Sequence, residues 1–173
     1  MKATAMLLGL LLLTVGCGSS NPITNPPDRV IIYQKYSVPS NTLLESDSNK
    51  VLYRYSAERG PNAVKVEISV FDFHFSGGDS TRLSDFGLFA YKDGSFSAPV
   101  LSETSGLIST VYKVQESGGD EVVINMTPPG SYILGEKTFF ELRANAFLSP
   151  GGERKELRVW ADDLGKEIFS YSQ

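Results

Sequence analysis

Residues 64–75 read Val64-Lys65-Val66-Glu67-Ile68-Ser69-Val70-Phe71-Asp72-Phe73-His74-Phe75. Apolar and polar side chains alternate with period two, the pattern of a strand with one face in a core and the other in water. The phase changes once. Apolar residues hold the even positions from Val64 to Val70 and the odd positions from Phe71 to Phe75. Two readings follow. A β-bulge near Val70-Phe71 adds one residue and restores a single apolar face. Otherwise Phe71, Phe73 and Phe75 form an aromatic row on the outer face, a candidate partner surface.

The same alternation recurs on both sides of this stretch. Phe140, Leu142, Ala144, Ala146 and Leu148 alternate with Glu141, Arg143, Asn145 and Phe147. Leu157, Val159 and Ala161 alternate with Arg158 and Trp160, and Val122, Ile124 and Met126 with Val123 and Asn125. Residues 30–36, 51–57, 86–92, 108–114 and 167–171 are further strand candidates. Turn signals separate them at Arg59-Gly60-Pro61-Asn62, Ser76-Gly77-Gly78-Asp79, Lys92-Asp93-Gly94-Ser95, Ser117-Gly118-Gly119-Asp120, Pro128-Pro129-Gly130 and Ser149-Pro150-Gly151-Gly152. Asp-Gly and Gly-Gly supply the positive φ angles that hairpins need. No stretch shows sustained helical spacing. The expectation is an all-β chain: a single antiparallel β-sandwich of about 7–9 strands over residues 29–173.

Composition narrows the function. The chain has 173 residues, 16 Lys+Arg against 20 Asp+Glu, and a formal net charge of −4. That length suits one domain, which buries roughly 68–70% of its unfolded surface without disulfides. An acidic chain lacks the basic field that phosphate binding requires, so no nucleic-acid partner is expected. One Cys and one His exclude an internal disulfide, a Cys-rich metal cluster and any site built on two histidines.

The amino terminus carries an address. Lys2 and the free amine precede an apolar run from Ala5 to Val15. That run is shorter than the ~20 residues that cross a bilayer and reads as a secretory signal. It ends in Leu13-Thr14-Val15-Gly16-Cys17, which resembles the lipobox of bacterial lipoproteins, with Thr14 where that family more often has Leu. The resemblance implies cleavage after residue 16 and acylation of Cys17, which anchors the protein to a membrane outside the cytoplasm. Gly18 stands where an Asp would retain it at the inner membrane. In a two-membrane cell this implies the outer membrane. Residues 18–28, GSSNPITNPPD, offer only Ile23 to bury and read with Cys17 as a Pro-stiffened tether of roughly 30 Å at full extension.

Leu43 to Asp162 resembles the immunoglobulin-like β-sandwich repeats of bacterial surface proteins. The features are VLYRYSA before VKVEISVFDFHF, then LSDFGLFAYKDG, then GEKTFFELRANA before ELRVWADD. The resemblance implies that the last two strands pair and carry much of the core. Such modules usually come in arrays; here there is one, without an internal repeat. The fold by itself implies no single activity.

Little chemistry is legible. Asp72 and His74 share a strand face, but no Gly-x-Ser-x-Gly elbow supplies a nucleophile. Asp79, Asp85, Asp93, Asp120 and Asp162-Asp163 lie at expected strand ends. None has calcium-loop spacing, and turn geometry accounts for them. No cofactor, metal or catalytic residue is therefore assigned. Trp160 faces away from Leu157 and Val159. It is either a platform for sugar or protein or part of a second core face. The reading is a non-enzymatic envelope lipoprotein with a structural or binding role. It is lipid-attached at Cys17, with Trp160, Phe71, Phe73 and Phe75 as candidate surface residues and an envelope protein or glycan as partner. The alternatives are a carbohydrate-binding module using exposed aromatics and a small hydrolase.

Overall fold

The computed structural model describes residues 31–44, 46–77, 82–117, 121–147, 154–161 and 164–172. The signal segment, Cys17, the tether, Leu148 and the turns at 78–81, 118–120 and 148–153 lie outside them, as do Asp79, Asp120, Asp162 and Asp163.

The described residues form twelve strands in chain order: β1 (Ile31–Tyr36), β2 (Ser46–Arg59), β3 (Glu67–Ile68), β4 (Phe71–Ser76), β5 (Arg82–Tyr91), β6 (Leu107–Ser109), β7 (Tyr112–Ser117), β8 (Glu121–Met126), β9 (Tyr132–Ile133), β10 (Lys137–Phe147), β11 (Arg154–Trp160) and β12 (Glu167–Ser172). One sheet has the order β1-β2-β10-β5-β6 and the other β12-β11-β4-β8-β7; β3 and β9 form a separate pair. All of these pairings are antiparallel. Among the described residues the only helical element is a 3₁₀ turn at Ser102–Thr104, and no helix is long and apolar enough to cross a membrane.

The faces follow the alternation. Phe140, Leu142, Ala144 and Ala146 from β10 are buried, with Leu157 and Val159 from β11 and Ile124 and Met126 from β8. The two five-stranded sheets meet through aromatic rings. Phe73 lies 6.4 Å from Tyr53 and 6.2 Å from Tyr55, and Phe71 lies 5.1 Å from Phe140. Phe75 meets Phe86 at 5.7 Å. Full burial of a ring such as Phe73 contributes about 1.5–3 kcal/mol relative to leaving it in water. The Tyr53 hydroxyl, 2.6 Å from the Leu164 carbonyl oxygen, ties β2 to the segment before β12.

Residues 64–75 depart from both sequence readings. The chain breaks at Ser69-Val70: β3 pairs with β9, and β4 joins the second sheet between β11 and β8. The phase change is therefore a change of sheet and not a bulge. A connecting residue outside any ladder resets which face turns inward, so no common register is needed. Val64 and Val70 end up exposed, while Val66 is buried. Phe71, Phe73 and Phe75 retain 5%, 0% and 5% of their accessible surface, so they build the core and form no outer row. Residues 108–114 split in the same way at Thr110-Val111 into β6 and β7, one in each sheet. These two switches, with the short β3–β9 pair, raise the strand number above the seven to nine expected.

The last two strands, β11 and β12, do pair, and β10 before them belongs to the opposite sheet. Tyr132 of β9 packs on Phe71 and Phe140, so the β3–β9 pair closes one end of the core. The edge of β12 is engaged at one point. Asn41 and Leu43 bond the Ser170 backbone in an isolated parallel bridge, which shortens the free template for edge-to-edge association.

Candidate functional site

Trp160 sits on the outer face of the second sheet, in register with His74 on β4. The two rings stack at 5.3 Å and 14°. The Lys166 ammonium lies 4.1 Å from the Trp160 ring centroid, and Trp160 is half-buried. Intramolecular partners thus occupy much of the surface a sugar ring would stack on. His74 Nδ1 is 2.7 Å from a Glu121 carboxylate oxygen. Asp72 shares the face with His74 as the alternation predicts, but its carboxylate accepts from Asn125 Nδ2 at 2.6 Å, and the carboxylate beside His74 is Glu121. Pairing across β4 and β8 decides this, because His74 lies opposite Val123, and Glu121, two residues along β8, is its diagonal neighbour on the same face.

The outer face of the first sheet holds a feature that alternation misses. Glu141 points away from the core, as expected of its position, yet its side chain has no exposed surface. Arg54 of β2 lies directly opposite it and reaches its carboxylate at 2.5 Å; Arg143, two residues along β10, bonds the other oxygen. Arg143 also donates to the Tyr91 hydroxyl at 2.7 Å. Burial raises the Tyr91 pKa, against the pull of the Arg143 guanidinium. The two guanidiniums lie over aromatic rings, Arg54 4.2 Å from the centroid of Phe96 and Arg143 4.3 Å from that of Phe89.

Phe96 comes from the loop after β5. It adopts φ +57 and packs edge-on against Tyr36, Tyr91 and Phe139. A bulky residue at positive φ is strained, and Asp93 holds the turn that imposes it. The Asp93 carboxylate accepts from the Ser95 hydroxyl and from the backbone N–H groups of Ser95 (2.9 Å), Ser97 (3.3 Å) and Ala98 (2.6 Å). These bonds, the Ser95 hydroxyl foremost, lower its pKa from 3.8 to about 2. The expected Asp-Gly hairpin is thus an aspartate-centred loop folded over the sheet.

A second cluster lies farther along β10. Its register shifts against both neighbours beside Asn145. Ser48 and Asn49 oppose Asn145 from β2, and Asp85 and Phe86 oppose Ala144 from β5, so each neighbour carries a bulge at the same height. Asn49 (φ +55) and Asp85 (φ +53) take the left-handed conformation that a bulge often gives to glycine. Asn145 bridges them: its Oδ1 accepts the Asn49 backbone N–H at 2.8 Å, and its Nδ2 donates to Asp85 Oδ2 at 2.8 Å. Asp85 therefore lies inside β5 and not at a strand end. The sequence signal for this site is the presence of Asn and Asp within strands, where both are depleted.

Among the described residues no three of the His, Cys, Asp and Glu side chains gather as a metal site. No protein-family model matches the chain, and neither does any curated protein. Solved structures show distant likenesses. AvmM, which catalyses macrocyclization in alchivemycin A biosynthesis, is 12% identical, with 83% of this chain and 89% of that chain covered, at a TM-score of 0.42. ACE19, the collagen-binding subdomain of the Enterococcus faecalis surface protein ACE, is 9% identical over 84% and 97%, at 0.29. The N-terminal domain of the Streptococcus gordonii adhesin Sgo0707 is 11% identical over 85% and 33%, also at 0.29. Scores this low speak to neither ligand nor activity.

Proposed function

We propose that this chain is a lipid-anchored lipoprotein outside the cytoplasm that binds an envelope component without catalysing a reaction. Residues 1–16 are the cleaved signal, acylated Cys17 is the anchor, residues 17–28 are the tether, and the sandwich from residue 29 is the binding body. The observation that carries the anchor is the placement of the chain's one Cys where the apolar run ends. More than one acyl chain at that residue holds a protein firmly, whereas a single chain binds only marginally. In a cell with two membranes the lipobox likeness, with Gly18 after the Cys, favours the outer one.

The non-catalytic reading draws on the ionisable groups of the described surface. His74 is held by Glu121 and stacked on Trp160, Glu141 is held by two arginines, and Asp93 is spent on its own loop. None of the three is poised as a free acid, base or nucleophile. The anchor is tested by mass spectrometry and fractionation of the native protein beside Cys17→Ser. The expected result is a processed, acylated wild type in the membrane fraction and a variant that is unprocessed or released. A variant that is cut and remains membrane-bound like wild type overturns the proposal.

A further inference from the structure

The twin bulges beside Asn145 open a groove of about 270 Å³ on the flank of the sandwich. This is just under the ~300–1,000 Å³ typical of ligand pockets, room for a single ring-sized group. Its apolar wall is Phe89 and Leu107. Gly87 beneath them makes the wall possible, because a Cβ there would come within 2.8 Å of the Phe89 ring and 3.2 Å of Leu107. Around this wall stand four polar side chains, those of Asn49, Asp85, Thr110 and Tyr112.

The inventory of these groups selects the ligand. Asp85 Oδ2 is engaged by Asn145 and Ser84, which orient the carboxylate, and its other oxygen has no partner among the described residues. The Asn49 carboxamide and the Thr110 and Tyr112 hydroxyls also have no hydrogen-bond partner among them. Together they offer a strong acceptor, a paired donor and acceptor, and two hydroxyls that do either. An ammonium ligand uses only acceptors and would meet the Arg143 guanidinium already over Phe89. A phosphate uses only donors and faces the Asp85 charge. A polyhydroxylated ring uses both kinds and lays its C–H face on an aromatic side chain. Tyr112, 39% exposed and braced edge-on by Phe86 at 5.1 Å, provides that side chain.

We infer that the groove between Asn49, Asp85 and Tyr112 is a binding site for a neutral pyranose ring of an envelope glycan. This deepens the binding role proposed above and rests on it. Asp85 accepts from ring hydroxyls, Asn49 and Thr110 bond their neighbours, and Tyr112 stacks on the ring. The two left-handed residues give the strain a purpose, since they hold the carboxylate and the carboxamide at the rim on either side of Asn145. Trp160 takes no part.

The test is an array of neutral hexose and N-acetylhexosamine oligosaccharides, with uronic-acid and amine-bearing glycans beside them, probed with the full-length protein in mild detergent. Binding to neutral members is expected. Titration of the best of them should show that Asp85→Asn and Tyr112→Ala each weaken binding by about tenfold or more, as loss of a charged hydrogen bond or a stacking ring implies. Asn tolerates the left-handed backbone of Asp85, so Asp85→Asn should melt like wild type, and Trp160→Ala should bind like wild type. Binding to charged glycans alone, to none, or equally well by both groove variants overturns the inference. A protein that is still membrane-anchored and ignores every glycan loses this inference and keeps its anchor.

Discussion

Glutamine in place of Glu141 keeps the shape of the side chain and removes its charge. Two guanidiniums would then face one neutral amide in a site from which Glu141 itself sees no water. Breaking a fully buried ion pair by removing one partner costs about 3–5 kcal/mol. Here Arg54 and Arg143 keep 19% and 22% of their side-chain surface in water, and Arg143 keeps its bond to Tyr91. Partial rehydration brings the expected loss to about 2–4 kcal/mol. In a domain of this size each kcal/mol moves Tm by about 2–4 °C, so Glu141→Gln should melt about 4–16 °C lower. Urea unfolding followed by the fluorescence of Trp160, the chain's one tryptophan, measures the change directly. A triple variant, Arg54→Met with Glu141→Leu and Arg143→Met, removes every charge and should regain most of the loss, since replacing a whole buried ionic cluster by apolar groups is often neutral. A single variant within about 0.5 kcal/mol of wild type, or a triple variant less stable than the single, would refute the argument that buried charge governs this face.

Two further outcomes are expected. The Asp93 carboxyl has a lower pKa in the folded chain than its ordinary 3.8, so its hold on the loop is complete above that value and is lost as pH falls through about 2. Phe96 ring protons followed by NMR should titrate with that low midpoint in wild type and show the acid-form shifts at every pH in Asp93→Asn; a midpoint near 3.8 contradicts the loop geometry. Tyr171 is 2% exposed, and its hydroxyl has no partner among the described residues. Tyr171→Phe should therefore match wild type or gain about 1 kcal/mol in the same urea assay, and a clear loss would mean that the hydroxyl is bonded after all.

How much of this was legible depends on how local each property is. Alternation belongs to the residues themselves, so β8, β10 and β11 and their inward faces are readable without coordinates. The anchor proposed at Cys17 lies outside the described residues and rests on the sequence alone. Period two leaves the row at Phe71–Phe75 open to a core or a surface reading, because it gives the two faces of a strand but not the sheet it joins. Glu141 looked solvated for the same reason. Its alternation is right, and only Arg54 across the β2–β10 ladder and Arg143 beside it, both held under aromatic cover, bury it. Asn49 and Asp85 carry a faint mark in the sequence, two turn-type residues within strands, but their meeting through Asn145 does not.

The amino-acid order alone determined that this chain is built of strands and which side of most of them is apolar. Those properties arise from spacing along a few residues and from the chemistry of single side chains. Folding decided where the long alternating runs change sheet, which carboxylate is dry, and which bulges line up to open a groove. Each of these is set by hydrogen-bonded register between segments tens of residues apart, and no local period encodes that register.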